Sequence, residues 1–337
     1  MPELNWPTKI NLRKKIFIMT DVTQRYHVTL PSSKVIQKFY LDFPNKMAYF
    51  LQMAAGSATD MTLTYGGFDP SNSEINLSNN PTQMHLTNFG HGQTFELFNW
   101  NNQLYAWVMT YAGSNVNKDG DHWATRVARL PIDGNSKTPA DVNSITFLNY
   151  MGTGAGNKNM TLYRADAPLS SDKSRLAVWT QQSKTGTKKR VTAFKTDVLN
   201  QVMDTEGNIK CTDSRMKKGG SAYVSTRDIS SYNYPQGSWQ GMELSNKTSA
   251  GYNWVYLTSG QAKNPSVIVR APWNFASPAP QNITAKITDF GSHDHETEAP
   301  QLYGNDVYFG VEEKKPASGK LNEHYIYSIS KKLSKIS

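Results

Sequence analysis

Leu86-Thr87-Asn88-Phe89-Gly90-His91 leads to Glu96, and about 200 residues later Ile287-Thr288-Asp289-Phe290-Gly291-Ser292-His293 leads to Glu298. Self-similarity at such a distance means copies of one unit, and it sets the architecture before any single motif is interpreted. Between and around the two stretches lie five bulky runs: Met47-Ala48-Tyr49-Phe50-Leu51, Leu104-Tyr105-Ala106-Trp107-Val108, Leu176-Ala177-Val178-Trp179-Thr180, Asn253-Trp254-Val255-Tyr256-Leu257 and Asp306-Val307-Tyr308-Phe309-Gly310. Each mixes aromatic and aliphatic residues without alternation, as a strand buried on both faces requires. A second strand follows each across turn-forming residues, which suits antiparallel hairpins: Met61 to Tyr65, Trp123 to Leu130, Arg190 to Lys195, Ser266 to Ala271 and His324 to Ser330.

Further strands at His85 to Phe89, Ile145 to Tyr150 and Ile283 to Phe290 run toward a glycine before the next copy begins. With a short polar strand ahead of each bulky run, the chain reads as all-β, a five-bladed β-propeller with four-stranded antiparallel blades. Residues 1–337 form a single domain in this reading, with blades beginning near 36, 93, 160, 240 and 295. No amphipathic pattern is long enough for an ordinary helix, and residues 201–238 read as a degenerate outer strand plus a long exposed loop. The last copy lacks a fourth strand, so the strand at about 14–20 (Lys15-Ile16-Phe17-Ile18-Met19) is expected to complete the last blade and close the ring. Two packed β-sandwiches are the alternative architecture.

The 337 residues carry 36 Lys and Arg against 27 Asp and Glu, a net charge of +9 that favours an anionic partner. The basic residues come in small clusters such as Lys188-Lys189-Arg190, with no helix-turn-helix or RNA-recognition pattern, so nucleic acid is not the expected partner. A solvated basic surface is the plainer reading. Cys211 is the single cysteine, which rules out an internal disulfide and a cysteine-based zinc site. No run has the length of a transmembrane helix and no signal peptide is visible, which leaves a cytoplasmic protein or one exported by a removed leader or an unusual route.

Eight to ten residues ahead of each bulky run stands a polar residue: Gln37, Glu96, Asp166, Glu243 and Glu298. In a propeller the first strand of every blade lines the central channel, so these five should face one another. Four are carboxylates, and gathering like charges raises their pKa values unless cations or donors compensate. His91, Gln93, Arg164, Gln240, His293 and His295 stand close enough in sequence to do so. The arrangement reads as a ligand-binding channel mouth with no cofactor beyond a candidate cation in the channel; alternatively each acid accepts N–H groups from the next blade and registers the ring. His293 and His295, at two-residue spacing on a strand, could share a metal, but a third ligand is not evident. A pair of inner-strand acids could also serve a glycosidase, a reading weakened by the neutral Gln37. No Gly-x-Ser-x-Gly elbow, phosphate loop or Cys/His nucleophile is present. Trp100, Trp239 and Trp273, in loops or at strand edges, are candidates for stacking on sugars, whereas Trp107, Trp179 and Trp254 are expected in the core.

The order and spacing of Val35-Ile36-Gln37-Lys38, Gly92-Gln93-Thr94-Phe95-Glu96-Leu97-Phe98, Phe147-Leu148-Asn149-Tyr150 followed by Gly156-Asn157-Lys158, Gln240-Gly241-Met242-Glu243-Leu244 and Leu321-Asn322-Glu323-His324-Tyr325 carry a resemblance from about Lys9 to Lys331. The chain resembles the helveticin J family, large heat-labile bacteriocins of lactobacilli and their surface-associated relatives. The resemblance implies a secreted or cell-surface antibacterial protein that acts on related Gram-positive bacteria, with an anionic wall polymer or surface glycan as its partner. A glycan-binding relative without killing activity and a propeller hydrolase of wall polysaccharide are the alternatives. In the third copy Arg164 stands where the family pattern has a histidine two residues before the inner acid.

Overall fold

Each of the five bulky runs forms the second strand of its own sheet, with side chains buried on both faces. The computed structural model describes residues 16–151, 161–184, 188–247, 253–262, 264–273, 275, 280–287, 294–314 and 322–331. The five sheets stand around a common axis as a five-bladed β-propeller. The first strands are Ile36–Asp42, Phe95–Trp100, Arg164–Asp166, Met242–Lys247 and Asp294–Tyr303, in blades 1 to 5 respectively. Among the described residues no helix is long and apolar enough to cross a membrane.

The core lies between blades. One apolar cluster joins Leu51 and Tyr49 of blade 1 to Phe95 and Val108 of blade 2, and another joins Trp107 and Phe98 to Leu176 and Val178 of blade 3. Two more link blades 3 to 4 and 4 to 5. The fifth packs Tyr26, Val28 and Ile326 of blade 5 against Phe39 and Phe50 of blade 1, so burial runs around the whole ring. Each blade needs both neighbours to cover its two apolar faces, which is why the bulky strands show no polar alternation.

The opening repeat acquires a physical cause at Gly90. Its φ is +77°, and a Cβ there would stand 2.9 Å from the Ala112 Cα and 3.0 Å from the His122 carbonyl oxygen. Only glycine both adopts that backbone and leaves room for the neighbouring strands of blade 2. The chain then turns inward, with His91 bridging to Trp123 before the first strand of blade 2 begins. In the second copy of the repeat, residues 288–293, His293 among them, lie outside the described residues.

Ring closure uses an N-terminal strand, but a different one from the apolar run near residues 14–20. Ile16–Asp21 pairs in parallel with Gln281–Lys286 and adds a fifth strand to the edge of blade 4. After the single residue Val22 the chain crosses to blade 5, where Thr23–Thr29 pairs antiparallel with Asn322–Ser330 and completes the blade. That closing strand is half-exposed, with buried Tyr26 and Val28 between polar residues, so its sequence is less apolar than that of the strand before it. Blades 2 and 5 also gain a short parallel fifth strand each, Ile209–Lys210 and Glu74–Asn76, so the blades are four- or five-stranded.

The polar stretch after blade 3 also differs from the expected loop. A helix spans Thr196–Glu206 and buries Leu199, Val202 and Met203, a three- and four-residue spacing that faces the core between blades 2 and 3. Arg129 holds it, donating to Asn200 Oδ1 at 3.2 Å and to Asp204 Oδ1 at 2.6 Å. Its start carries no capping side chain and its buried stripe includes the polar Thr196 and Asn200, so neither start signal nor periodicity marks it strongly in the sequence. Tyr223–Asp228 then supplies the outer strand of blade 3.

Candidate functional site

The ring position in blade 1 is occupied by Lys38, not Gln37. A register shift between Ile36 and Lys38 turns the lysine toward the axis, opposite the place its neighbour was counted to take. The Lys38 side chain is fully buried, and its ammonium donates to Glu243 Oε1 at 2.6 Å and to the Pro300 carbonyl at 2.6 Å and pairs with Glu96 Oε1 at 2.9 Å. Burial disfavours the ammonium, but the carboxylates of Glu243 and Glu96 outweigh it and raise the lysine pKa above its ordinary value. One cation cannot neutralise two carboxylates. Glu96, buried and beside the charge of Glu243, is accordingly pushed up to about 8 despite Lys38 and Lys173.

Above this plug the channel opens into a cavity of about 1130 Å³ that Gln37, His91, Gln93, Arg164, Gln240 and Glu298 line together. Four of these six expected residues, Gln93, Arg164, Gln240 and Glu298, form one hydrogen-bonded network. Gln93 donates to Gln240 Oε1 at 3.0 Å and approaches Glu298 Oε2 at 3.5 Å, while Gln240 donates to Glu296 Oε1 at 2.9 Å. Arg164 donates to Gln93 Oε1 at 2.6 Å and to the Trp239 carbonyl at 3.0 Å. Its guanidinium lies 4.1 Å from the centre of the Trp123 ring, and its Nε is buried without a hydrogen-bond partner. His91 meets the edge of the same ring, and its Nδ1 is likewise buried and unpartnered. Burial, with Arg164 nearby, holds the His91 pKa down to about 3, so the imidazole is neutral. Glu298 is raised well above the ordinary carboxyl range by burial and by Glu296 and Glu312, against Lys314 and Gln93.

The remaining expected residues lie elsewhere. Glu96 and Glu243 face the opposite mouth, a cavity of about 760 Å³ that also includes Lys173, Arg270 and Lys331. Asp166 is sealed in the channel wall, where the Thr94 hydroxyl, its neighbour's N–H from Ala167 at 2.8 Å and the Trp239 indole at 3.2 Å all donate to it. Burial still raises its pKa against those bonds. A carboxyl of blade 3 is thus bound by blade 2 and by the segment before blade 4, through a side-chain hydroxyl and an indole rather than the backbone N–H groups expected of the adjoining blade. His295 pairs across to Glu313, one residue out of phase with Glu296 and Glu298, whose side chains line the mouth. Among the described residues no group of three or more His, Cys, Asp or Glu is placed to hold a metal ion.

Several residues here escaped the sequence. Glu296 and Lys314 pair at 2.8 Å on the rim, and Trp123 and Tyr234 supply aromatic wall. Trp239 is corrected from an exposed loop aromatic to core: it is buried and stacks on Trp179 at 4.2 Å with planes 6° apart. Trp100 and Trp273 are partly buried, and their indoles donate to Asp204 and Ser225. Trp254 is only partly buried and lies under Arg270, 4.0 Å from its guanidinium. A signal existed for Lys38, which stands in the quoted Val35-Ile36-Gln37-Lys38 stretch; the count along the strand selected its neighbour.

Comparison with solved structures places this fold beside the tail fibre of Staphylococcus aureus phage P68, with a TM-score of 0.59 and 12% identity over 92% of this chain and 52% of the fibre chain. The chain thus spans about half the length of that protein. A GH43 endo-arabinanase from Bacillus licheniformis aligns over 89% of this chain and 96% of its own, with 10% identity and a TM-score of 0.44. Trypanosoma rangeli sialidase aligns over 91% and 58%, with 8% identity and a TM-score of 0.38. No curated protein matches the chain. A family model described as bacteriocin helveticin-J matches residues 14–332, through all five blades and both N-terminal strands, and the chain therefore belongs to the helveticin J family.

Proposed function

We propose that this protein is a secreted bacteriocin that binds an anionic glycopolymer of the Gram-positive cell surface through the wider channel mouth. The observation that carries this reading is the chemistry of the 1130 Å³ cavity. Six cationic side chains, Lys34, Lys118, Arg164, Lys184, Lys189 and Lys314, line it against four carboxyls, Asp119, Asp121, Glu296 and Glu298, and Glu298 holds its proton far above the ordinary carboxyl range. Amides such as Gln93 and Gln240 and the rings of Trp123 and Tyr234 are also in the wall, the mixture that hydroxyl-rich ligands need: fixed donors and acceptors with an apolar surface beside them. The buried, unpartnered Nε of Arg164 and Nδ1 of His91 are polar groups without compensation, a costly arrangement that a bound polar ligand would relieve.

Binding is favoured over hydrolysis because Lys38 already occupies the space between Glu96 and Glu243. A retaining or inverting glycosidase needs two carboxyls flanking one sugar bond. Here two of the inner acids face a protein ammonium, a third is sealed behind Trp239, and Glu298 is the one inner-ring acid left at the wide mouth, where its neighbour Glu296 is already paired with Lys314 at 2.8 Å.

Sedimentation with purified Gram-positive walls tests the reading. Binding is expected at low salt, falling at least tenfold on passing to molar salt as the charges are screened, and Arg164→Ala is expected to weaken it at least tenfold. Failure to sediment at low salt would refute it. Release of reducing sugar from peptidoglycan that Glu298→Gln or Glu96→Gln abolishes, in a folded protein, would favour the hydrolase instead.

A further inference from the structure

The stretch Phe147-Leu148-Asn149-Tyr150 contributes nothing to either channel mouth, yet its first three residues line one side of a separate pocket of about 420 Å³ on the flank between blades 2 and 3. Tyr111, Thr125 and Arg126 from the second and third strands of blade 2 line the other side, and Thr161, on the approach to blade 3, closes it. Tyr111 is 41% exposed and Phe147 50% exposed, two of the five large hydrophobic side chains left in solvent among the described residues.

Their backbones are as unusual as their exposure. Tyr111 has φ +67° and Phe147 φ +59°, in the left-handed region that bulky residues avoid. Strain of this kind is ordinarily repaid by packing, but neither ring is packed into the core. Phe147 caps the short 3-10 turn Leu148–Tyr150 without any side-chain hydrogen bond, a position that asparagine or glycine would fill without strain. Thr125 donates to the Tyr111 carbonyl at 3.0 Å and so helps to hold the strained conformation, and the Arg126 guanidinium lies 3.7 Å from the centre of the Tyr111 ring. The fold thus spends stability to hold two partly exposed aromatic rings at one pocket, Tyr111 with Arg126 on one face and Phe147 beside Tyr150 and the Lys210 ammonium at 5.9 Å, which is how strain is distributed at ligand clamps.

We infer that this flank pocket is a second carbohydrate site, taking a pyranose ring whose apolar face rests on Phe147 or Tyr111 while its hydroxyls meet the polar rim of Thr125, Arg126, Asn149 and Thr161. The volume suits one or two sugar rings. A flat apolar face bordered by hydroxyl, amide and guanidinium groups matches a pyranose, which presents C–H groups on its faces and hydroxyls at its edge. An apolar peptide side chain would leave those rim groups unmatched. The site is independent of the channel, so a polymer engaging both would be held bivalently, with avidity beyond either alone.

Saturation-transfer NMR with α- and β-linked trisaccharides of glucose, galactose and N-acetylglucosamine tests it on the full chain. At least one is expected to receive saturation from the wild type, and Phe147→Ala and Tyr111→Ala are each expected to weaken its binding about tenfold, the loss of one aromatic contact. Phe147→Gly supplies the second readout: binding is expected to fall as far, while the melting temperature stays level or rises as the strain is released. Absence of transfer to every trisaccharide, binding indifferent to both aromatic substitutions, or a melting temperature several degrees lower in Phe147→Gly would each overturn the assignment. None of these outcomes depends on wall binding by the channel mouth.

Discussion

Lys38 decides what the channel is at the scale of single residues. Its ammonium joins Glu96 of blade 2, Glu243 of blade 4 and the Pro300 carbonyl of blade 5 to blade 1, so one side chain ties four blades at the axis. Lys38→Met is expected to lower stability by about 3–5 kcal/mol, because it strands two buried carboxyls rather than because the ion pairs are strong. Adding Glu96→Gln and Glu243→Gln to that variant should recover much of the loss, a comparison that urea unfolding of the wild type, the single and the triple variant would decide. The sequence made the ring of acids legible: the spacing placed Glu96, Asp166, Glu243 and Glu298 on inner strands, and all four are there and buried. It did not distinguish their roles. Asp166 binds neighbouring blades, Glu96 and Glu243 bind Lys38, and Glu298 borders the mouth, differences set by a single-residue register shift and by Trp239 folding over the wall.

Closure of the ring and entry into each blade are matters of elements. Thr23–Thr29 is the strand from the other end of the chain that pairs directly with the C-terminal strand of blade 5, and through Tyr26 and Val28 it covers the outer side of the junction with blade 1. Removal of residues 1–22 takes away, among the described residues, an edge strand of blade 4 and the partly buried Val22, and is expected to leave a folded protein. Removal of residues 1–29 exposes the junction and should cost about 3–6 kcal/mol for its two buried side chains alone, seen as early protease cleavage and a lower melting temperature. At the other kind of junction, Gly90→Ala is expected to cost about 2 kcal/mol or more, since the new methyl meets backbone on two strands in a conformation alanine resists; thermal unfolding would measure it. The bulky second strands were visible in the sequence because burial on both faces leaves an unbroken apolar run. The closing strand and the helix Thr196–Glu206 were not, because each buries only one face and their residues read as polar overall.

Across the whole molecule the buried titratable groups oppose one another and set a pH optimum. Glu96 holds its proton to about pH 8 when folded against an ordinary value of 4.5, so its contribution to stability is complete below about 4.5 and is lost as the pH rises toward 8. Glu298 and Asp166 act in the same direction. His91 acts in the other: depressed from 6.5 to about 3, it supports the fold above 6.5 and withdraws that support as the pH falls toward 3. Stability should therefore peak in mildly acidic solution, and Glu96→Gln should flatten the alkaline limb by ~2–4 kcal/mol between about pH 5 and 8, measured by chemical unfolding across that range. The amino-acid sequence by itself determined the repeat, the number of blades, the positions of the inner acids and the excess of positive charge, because these depend on local patterning and on counting residues. Only the tertiary structure decided which strand closes the ring, which basic residue enters it, and which polar groups share a cavity. Those outcomes depend on register and on contacts between segments far apart in the chain, where a shift of one residue exchanges an inward side chain for an outward one.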